Sequence, residues 1–207
     1  MDRIPAYFSE LSPLQINQLN ALKNGYLHWN QKINVISRND MEHLEERHLL
    51  HSLSIAKFTS FHPGTRILDV GTGGGLPGLP LAVRFPECTF TLVDSVGKKI
   101  RVVNDLIERT GLNNVTAKQA RAEHLRGTWD FIISRAVTAF PRFYEWTVNL
   151  ISTSSRNSLQ NGIIYLKGGQ LEKEMAPFRE AISLHPISQW FSEEWFNEKY
   201  IVHLPIK

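Results

Sequence analysis

Ile67-Leu68-Asp69-Val70-Gly71-Thr72-Gly73-Gly74-Gly75-Leu76-Pro77-Gly78 decides the fold: an apolar run of strand length passes directly into a glycine cluster, and a helical pattern follows. Glycines at a strand-to-helix turn permit positive φ and let a ligand lie against bare backbone, while the helix start offers free N–H donors. Pro77 and Pro80 fall in the first turn of that helix, where N–H groups lack intrahelical partners anyway. The residues Gly73 to Gly78 satisfy the dinucleotide-binding pattern G-x-G-x-x-G. In that register, however, the first glycine stands two residues beyond Gly71, the glycine that ends the strand.

A second register explains more residues. Asp69, Gly71, Gly73 and Gly75 give D-x-G-x-G-x-G, with an acid on the strand before the loop, the pattern of Rossmann-like methyltransferases. Asp94 closes the next apolar run, Phe90-Thr91-Leu92-Val93, about twenty residues after the loop. In a βαβ unit that position meets a ribose, and a carboxylate accepts hydrogen bonds from its two hydroxyls. An Asp capping the following helix is the alternative, and the two do not exclude each other. Both NAD and S-adenosylmethionine carry adenosine, so Asp94 does not choose between them.

Outward from this unit, short apolar runs alternate with polar helical stretches from Pro63-Gly64 onward, the signature of a doubly wound, mostly parallel α/β sheet. Strands are expected near Arg66–Val70, Thr89–Val93, Val115–Gln119, Phe131–Ser134, Ile163–Leu166 and Tyr200–Leu204, with a seventh around Ile187–Phe191. The polar stretch from Ser152 to Asn161 reads as a mobile loop. Before the sheet the chain is helical. Leu11, Leu14, Leu19, Leu22, Tyr26, Trp29 and Ile33 stand mostly at three- and four-residue steps. Ser12, Pro13 and Gln15 mark the start of this helix as N-cap, first helical residue and capping box. A second helix is expected from Met41 to about Ser60, burying Leu44, Leu49, Leu53 and Ala56. The expected division is a helical extension over 1–62 packed on a methyltransferase domain over 63–207.

Composition narrows the class. With 207 residues, 42% hydrophobic and 21% charged, the chain has apolar material for one main core. No secretory leader pattern opens it, and no apolar run approaches a membrane span, so a cytoplasmic protein is expected. The single cysteine, Cys88, excludes an internal disulfide and reads as a buried small hydrophobe. The histidines crowd the first 62 residues at irregular spacing, and no metal site is expected. A net charge of +3 and a pI near 9.0 suit a polyanionic partner without demanding one.

With these residues in view, the chain resembles the RsmG/GidB family of bacterial 16S ribosomal RNA guanine-N7 methyltransferases. The landmarks are Leu76-Pro77-Gly78-Leu79-Pro80, Asp94-Ser95-Val96-Gly97-Lys98-Lys99, Ser134-Arg135-Ala136 and Leu166-Lys167-Gly168-Gly169. Earlier, His28-Trp29-Asn30 and Arg47-His48-Leu49-Leu50-His51-Ser52 resemble the family's helical front end. His51 departs from the family, which commonly has Asp there, and no role is assigned to it. The resemblance implies a class I methyltransferase fold and an S-adenosyl-L-methionine site that includes Gly71 and Leu76 at the loop, Ala122 and Glu123 after the third strand, and Arg135 after the fourth. Position agrees, because in open α/β sheets ligands gather at the carboxyl ends of strands.

Lys98, Lys99 and Arg101 follow the second strand in the first turns of a helix, where positive charge opposes the helix dipole, so an anionic partner such as RNA phosphate rationalises them. Arg135 suits a cofactor carboxylate or an RNA phosphate, since its fork fits either, and Lys167 joins the RNA set. Trp29, beside His28 and Lys32, reads as core, with base stacking as the alternative. The expectation is a monomeric S-adenosylmethionine-dependent enzyme methylating guanine N7 in the decoding-region loop of 16S rRNA, free or in a small-subunit intermediate, with no catalytic base. Rivals are a small-molecule methyltransferase, a non-catalytic RNA- or nucleotide-binding protein and, last, an NAD-dependent oxidoreductase.

Overall fold

Six of the seven apolar runs expected after Pro63 form strands, and the strand faces divide the core in two. The computed structural model describes residues 3–206; Met1, Asp2 and Lys207, the outer ends of the two expected domains, lie outside them. The strands are β1 (Arg66–Val70), β2 (Thr89–Asp94), β3 (Val115–Gln119), β4 (Phe131–Arg135), β5 (Gly162–Gly168), β6 (Ser183–Pro186) and β7 (Lys199–Pro205). They form one sheet in the order β3-β2-β1-β4-β5-β7-β6. The first five are parallel, and β7 runs antiparallel between β5 and β6. The chain winds outward from β1 to β3 and then crosses back to β4. That reversal opens a crevice at the carboxyl ends of β1 and β4, where ligands bind in open α/β sheets.

Successive side chains on a strand point to opposite faces. Ile67, Phe90, Leu92, Phe131 and Ile133 therefore pack one face, together with Leu19, Leu22 and Tyr26 of the helical front end. Leu68, Val70, Val93, Ile132 and Ile163 pack the other, against Phe140 and Phe143. The front end is thus part of the first core layer. Its helices are α1 (Arg3–Tyr7), α2 (Pro13–Asn30) and α3 (His51–Phe58); α4 (Gly78–Arg84), α5 (Gly97–Thr110), α6 (Phe140–Thr147) and α7 (Glu172–Met175) follow.

The capping box at α2 forms as expected: Ser12 Oγ accepts from Gln15 N, and Gln15 Oε1 accepts from Ser12 N. The helix ends at Asn30 rather than Ile33, because Asn30 Oδ1 accepts from Val35 N and Ile36 N, both at 3.0 Å, and turns the chain. Leu14 leaves the apolar stripe and is 66% exposed. The helix expected from Met41 to Ser60 is not continuous. A 3-10 stretch (Arg38–His43) leads into a π-helical segment (Leu44–Leu50), and only then does α3 begin. The expected strand at Ile187–Phe191 is also corrected: Ile187–Gln189 is a 3-10 turn. Ile187 and Phe191 bury together in the first cluster, a four-residue spacing that suits a helical turn, and the strand is the preceding Ser183–Pro186. Residues 152–161 carry no helix or strand, and Asn161 Nδ2 ties the segment by donating to Ser152 O and Ser154 O, both at 2.9 Å. Cys88 is buried. Among the described residues no helix is long and apolar enough to cross a membrane.

Candidate active site

The glycine loop is held from three sides. Gly71 N and Thr72 N both donate to Val93 O, at 2.8 and 2.9 Å, fastening the loop to the end of β2. From below, buried Asp69 accepts from Thr72 Oγ1 at 2.6 Å and from Gly78 N at 2.9 Å, both on Oδ2. The second contact satisfies the first N–H of α4. Burial raises Asp69 to about 7, against the lowering effects of these two bonds and of the Arg135 charge. From above, Tyr26 on α2 donates its hydroxyl to Gly74 O at 2.9 Å.

The loop borders a cavity of about 420 Å³ at the carboxyl ends of β1, β2 and β4, within the size range of small-molecule sites. Gly71, Gly73, Leu76, Asp94, Ala122, Glu123 and Arg135 line it, and so do Lys99 and Val35. Asp69 and Gly75 do not. Asp69 shapes the loop from behind, and a Cβ at Gly75 would overlap the Leu79 side chain, so that glycine serves packing. Gly71 and Gly73 both have positive φ, +70° and +59°, yet they differ in what they face. A Cβ on Gly71 would strike Val137, whereas one on Gly73 meets nothing within 4 Å. Only Gly73 presents bare backbone to open space in the way both were expected to.

Asp94, 7% exposed, carries two backbone contacts: Oδ2 accepts from Gly73 N at 3.0 Å and Oδ1 from Val96 N at 2.9 Å. It therefore clamps the glycine loop to the approach of α5 and leaves its remaining lone pairs at the cavity. Lys99 Nζ stands 3.9 Å from Asp94 Oδ2. The expected RNA cluster is thereby divided, with Lys99 on the cavity wall and Lys98 and Arg101 exposed on α5. Glu123 is exposed at the rim, on the 3-10 turn Ala122–His124 after β3.

A second cavity, of about 670 Å³, adjoins the first and shares Arg135, Ala136 and Val137 with it. The shared wall is strained: Ala136 holds φ +52°, a left-handed conformation that costs a non-glycine residue about 1 kcal/mol or more. Arg135 turns part of its fork toward the π-helical segment, donating Nη1 to Arg47 O at 3.3 Å and Nη2 to His48 Nδ1 at 3.1 Å. His48, His51, Lys167, Trp195 and Lys199 complete much of this second wall. Burial first, then the Arg135 charge, lowers His48 to about 4 and holds His51 well below the ordinary imidazole range. Lys167 is tied back, donating to Glu174 Oε1 at 2.6 Å and Thr138 O at 3.2 Å.

Trp29 is partly buried against the first core cluster, and its indole donates to Asp105 Oδ2 at 2.6 Å. It borders neither large cavity. The sequence reading missed Tyr26, Val35 and Val137, which reach the loop from distant elements, and it gave no role to His48 or His51. The signals for the histidines were their place in the 47–52 stretch that resembles the family and a run of charged and polar residues inside an apolar helical pattern. Among the described residues no group of three or more His, Cys, Asp or Glu could hold a metal ion.

Comparison with known proteins follows the same line. A family model described as "GidB: rRNA small subunit methyltransferase G" matches residues 15–200. The ribosomal RNA small subunit methyltransferase G of Flavobacterium johnsoniae is 50% identical over 207 residues, covering 100% of this chain and 99% of that protein. The protein of the same name from Cytophaga hutchinsonii is 48% identical over 205 residues, 99% of each chain. Among solved structures, precorrin-6y C5,15-methyltransferase from Geobacter metallireducens is similar in fold, with a TM-score of 0.57 at 10% identity, over 82% of this chain and 89% of that one. The strand order, the glycine loop and the full-length likeness agree, and the chain belongs to the GidB family of S-adenosylmethionine-dependent small-subunit rRNA methyltransferases.

Proposed function

We propose that the chain methylates N7 of a guanine in the decoding-region loop of 16S rRNA, acting as a cytoplasmic monomer on the RNA or on a small-subunit assembly intermediate. The observation that carries this reading is the pair of cavities meeting at Arg135, Ala136 and Val137. One suits the cofactor and the other the acceptor base, so the reacting atoms meet at the shared wall.

The residues of the first cavity fit S-adenosylmethionine. Gly73 leaves the space a Cβ would fill, Asp94 offers a carboxylate to a ribose, and Ala122 and Glu123 border the side where an adenine would lie. Gly71, Gly75, Leu76 and Asp69 keep the loop in shape around that space. Bound there, the cofactor supplies a methyl group on a sulfonium, ready for direct displacement. Guanine N7 has a free lone pair at neutral pH and loses no proton on methylation, so the chain's task is alignment rather than base catalysis. Positive charge moves to the guanine ring as the methyl group transfers, and a cation against the ring would oppose it. Arg135 meets this need by committing two of its donors to Arg47 O and His48 Nδ1, so that its fork is held by protein partners and not by the ring. Lys98 and Arg101, exposed beside the first cavity's Lys99, are free for phosphate.

Calorimetry with S-adenosylmethionine, S-adenosylhomocysteine and NAD tests the cofactor assignment, and transfer of labelled methyl to small-subunit rRNA tests the activity. Binding of NAD alone would sink the reading. Cofactor binding without methyl transfer to rRNA would leave a small-molecule enzyme or a binding protein.

A further inference from the structure

The second cavity is lined by two histidines with buried, unsatisfied ring nitrogens: among the described residues His48 Nε2 and His51 Nε2 have no hydrogen-bond partner. A buried polar atom left unpaired costs about 1–3 kcal/mol, and such atoms in a folded protein call for an explanation. The chemistry of each is fixed by the other side of its ring. Arg135 has donors only, so the 3.1 Å contact from Nη2 makes His48 Nδ1 an acceptor. Neutral His48 then carries its proton on Nε2, which is a donor. The nearest carboxylate, Asp40 Oδ2, stands 4.0 Å away, beyond hydrogen-bond range. His51 is the reverse case. The other side of its ring faces the backbone of Arg47, whose carbonyl also accepts from Arg135 Nη1 at 3.3 Å; with the ring proton on that side, the unpaired Nε2 is a bare acceptor. One donor and one acceptor thus belong to residues that line the same cavity, His48 in the segment where the helix departs from α geometry and His51 as the first residue of α3 after it. Isolated π-type turns are frequent at functional sites.

Resting on the methyltransferase reading above, we infer that His48 and His51 read the acceptor base in the second cavity: His48 Nε2–H donates to guanine O6, and His51 Nε2 accepts from guanine N1–H. Adenine presents the inverse pattern at the same two positions, an amino donor against His48 and a bare N1 against His51, and both pairs then fail. The Trp195 ring packs edge-on against His51, with centroids 5.1 Å apart, and is the cover that the entering base displaces. Lys199, 4.6 Å from the Trp195 ring centroid and among the cavity-lining cations, lies beside that entrance. Arg135 is the positioning residue of the pair, since it sets the tautomer of His48 and donates to the Arg47 carbonyl that the His51 ring faces.

The test uses small-subunit rRNA carrying guanine, inosine or 2-aminopurine at the methylated position. Inosine keeps O6 and N1–H; 2-aminopurine lacks both and adds no bulk. Equilibrium binding in the presence of S-adenosylhomocysteine and single-turnover methyl transfer are read for each RNA. The wild-type chain should treat inosine within a few-fold of guanine and lose about 100-fold for 2-aminopurine, two hydrogen bonds each worth roughly tenfold. In His51→Leu that penalty should shrink about tenfold, because the acceptor is gone. His51→Asn, which keeps a side-chain acceptor, should recover most of it and stands in should His51→Leu fail to fold. A wild-type chain indifferent to 2-aminopurine overturns the inference, as does a penalty unchanged in His51→Leu. If the wild-type chain methylates none of the RNAs, including the guanine one, the methyltransferase reading itself has failed.

Discussion

Gly73→Ala separates a ligand-facing glycine from structural ones. At φ +59° a non-glycine residue pays the left-handed conformation, roughly 1–2 kcal/mol. For a chain of this size that lowers Tm by about 2–8 °C. Among the described residues nothing lies within 4 Å of the added methyl, so no clash adds to the cost. The methyl projects instead into the 420 Å³ cavity, where a ligand seated on bare backbone would be pushed from its contact distance. Calorimetry should show S-adenosylmethionine affinity reduced at least tenfold, about 1.4 kcal/mol, in a protein that remains folded. Gly75→Ala is the comparison: its Cβ overlaps Leu79, off the cavity, and its Tm should fall further. A folded Gly73→Ala protein binding the cofactor with the wild-type Kd would refute the reasoning.

Asp94→Asn leaves one of two backbone donors, Gly73 N or Val96 N, facing an amide NH2. Stability should fall by about 1–3 kcal/mol and cofactor affinity about tenfold; urea denaturation and calorimetry check the two, and an unchanged Kd would reduce Asp94 to a structural clamp. Neutralising Lys98 and Arg101 together should weaken rRNA binding and flatten its salt dependence by roughly 0.7–0.9 per lost phosphate contact, with the cofactor constant unmoved, whereas Lys99→Met should change the cofactor constant because Lys99 lines that cavity. Equal losses for both ligands in the double variant would contradict this division. Stability should fall on acidification from pH 6.5 toward 4. His48 and His203 are lowered to about 4 and His51 well below the ordinary value, so across this window the unfolded chain binds protons that the folded chain refuses. Asp69, raised to about 7, works in the opposite sense, binding a proton in the folded state that the unfolded state lacks. Three imidazoles outweigh one carboxyl, and the net slope is on the order of 2 kcal/mol per pH unit near pH 5. Denaturation midpoints that stay flat or rise between pH 6.5 and 5 would contradict it.

The centre of the sheet was legible because its strands are buried on both faces and read as unbroken apolar runs, Ile67-Leu68 and Phe131-Ile132-Ile133 among them. The glycine loop was legible because its spacing is local. What escaped the sequence depends on contacts across the chain. Tyr26 reaches Gly74 over 48 residues and Arg135 reaches His48 over 87, and no periodicity carries such pairings. The π-helical segment was hidden for a related reason: Leu44, Leu49 and Leu53 suit a plain helix, while the altered winding places Arg47, His48 and His51 on the second cavity. Ile187–Phe191 was misread as a strand because two buried apolar ends four residues apart serve either a short strand or a helical turn.

The central claim is methyl transfer to guanine N7, and 7-methylguanosine has a chemistry of its own. Small-subunit rRNA from cells lacking the gene should be incubated with the purified chain and S-adenosylmethionine, then reduced with borohydride and treated with aniline, which cleaves the strand at 7-methylguanosine. The account predicts one new scission, at a guanine in the decoding-region loop, that requires both the chain and the cofactor. Methyl incorporation without scission would move the target atom away from N7, and no incorporation at all would contradict the account.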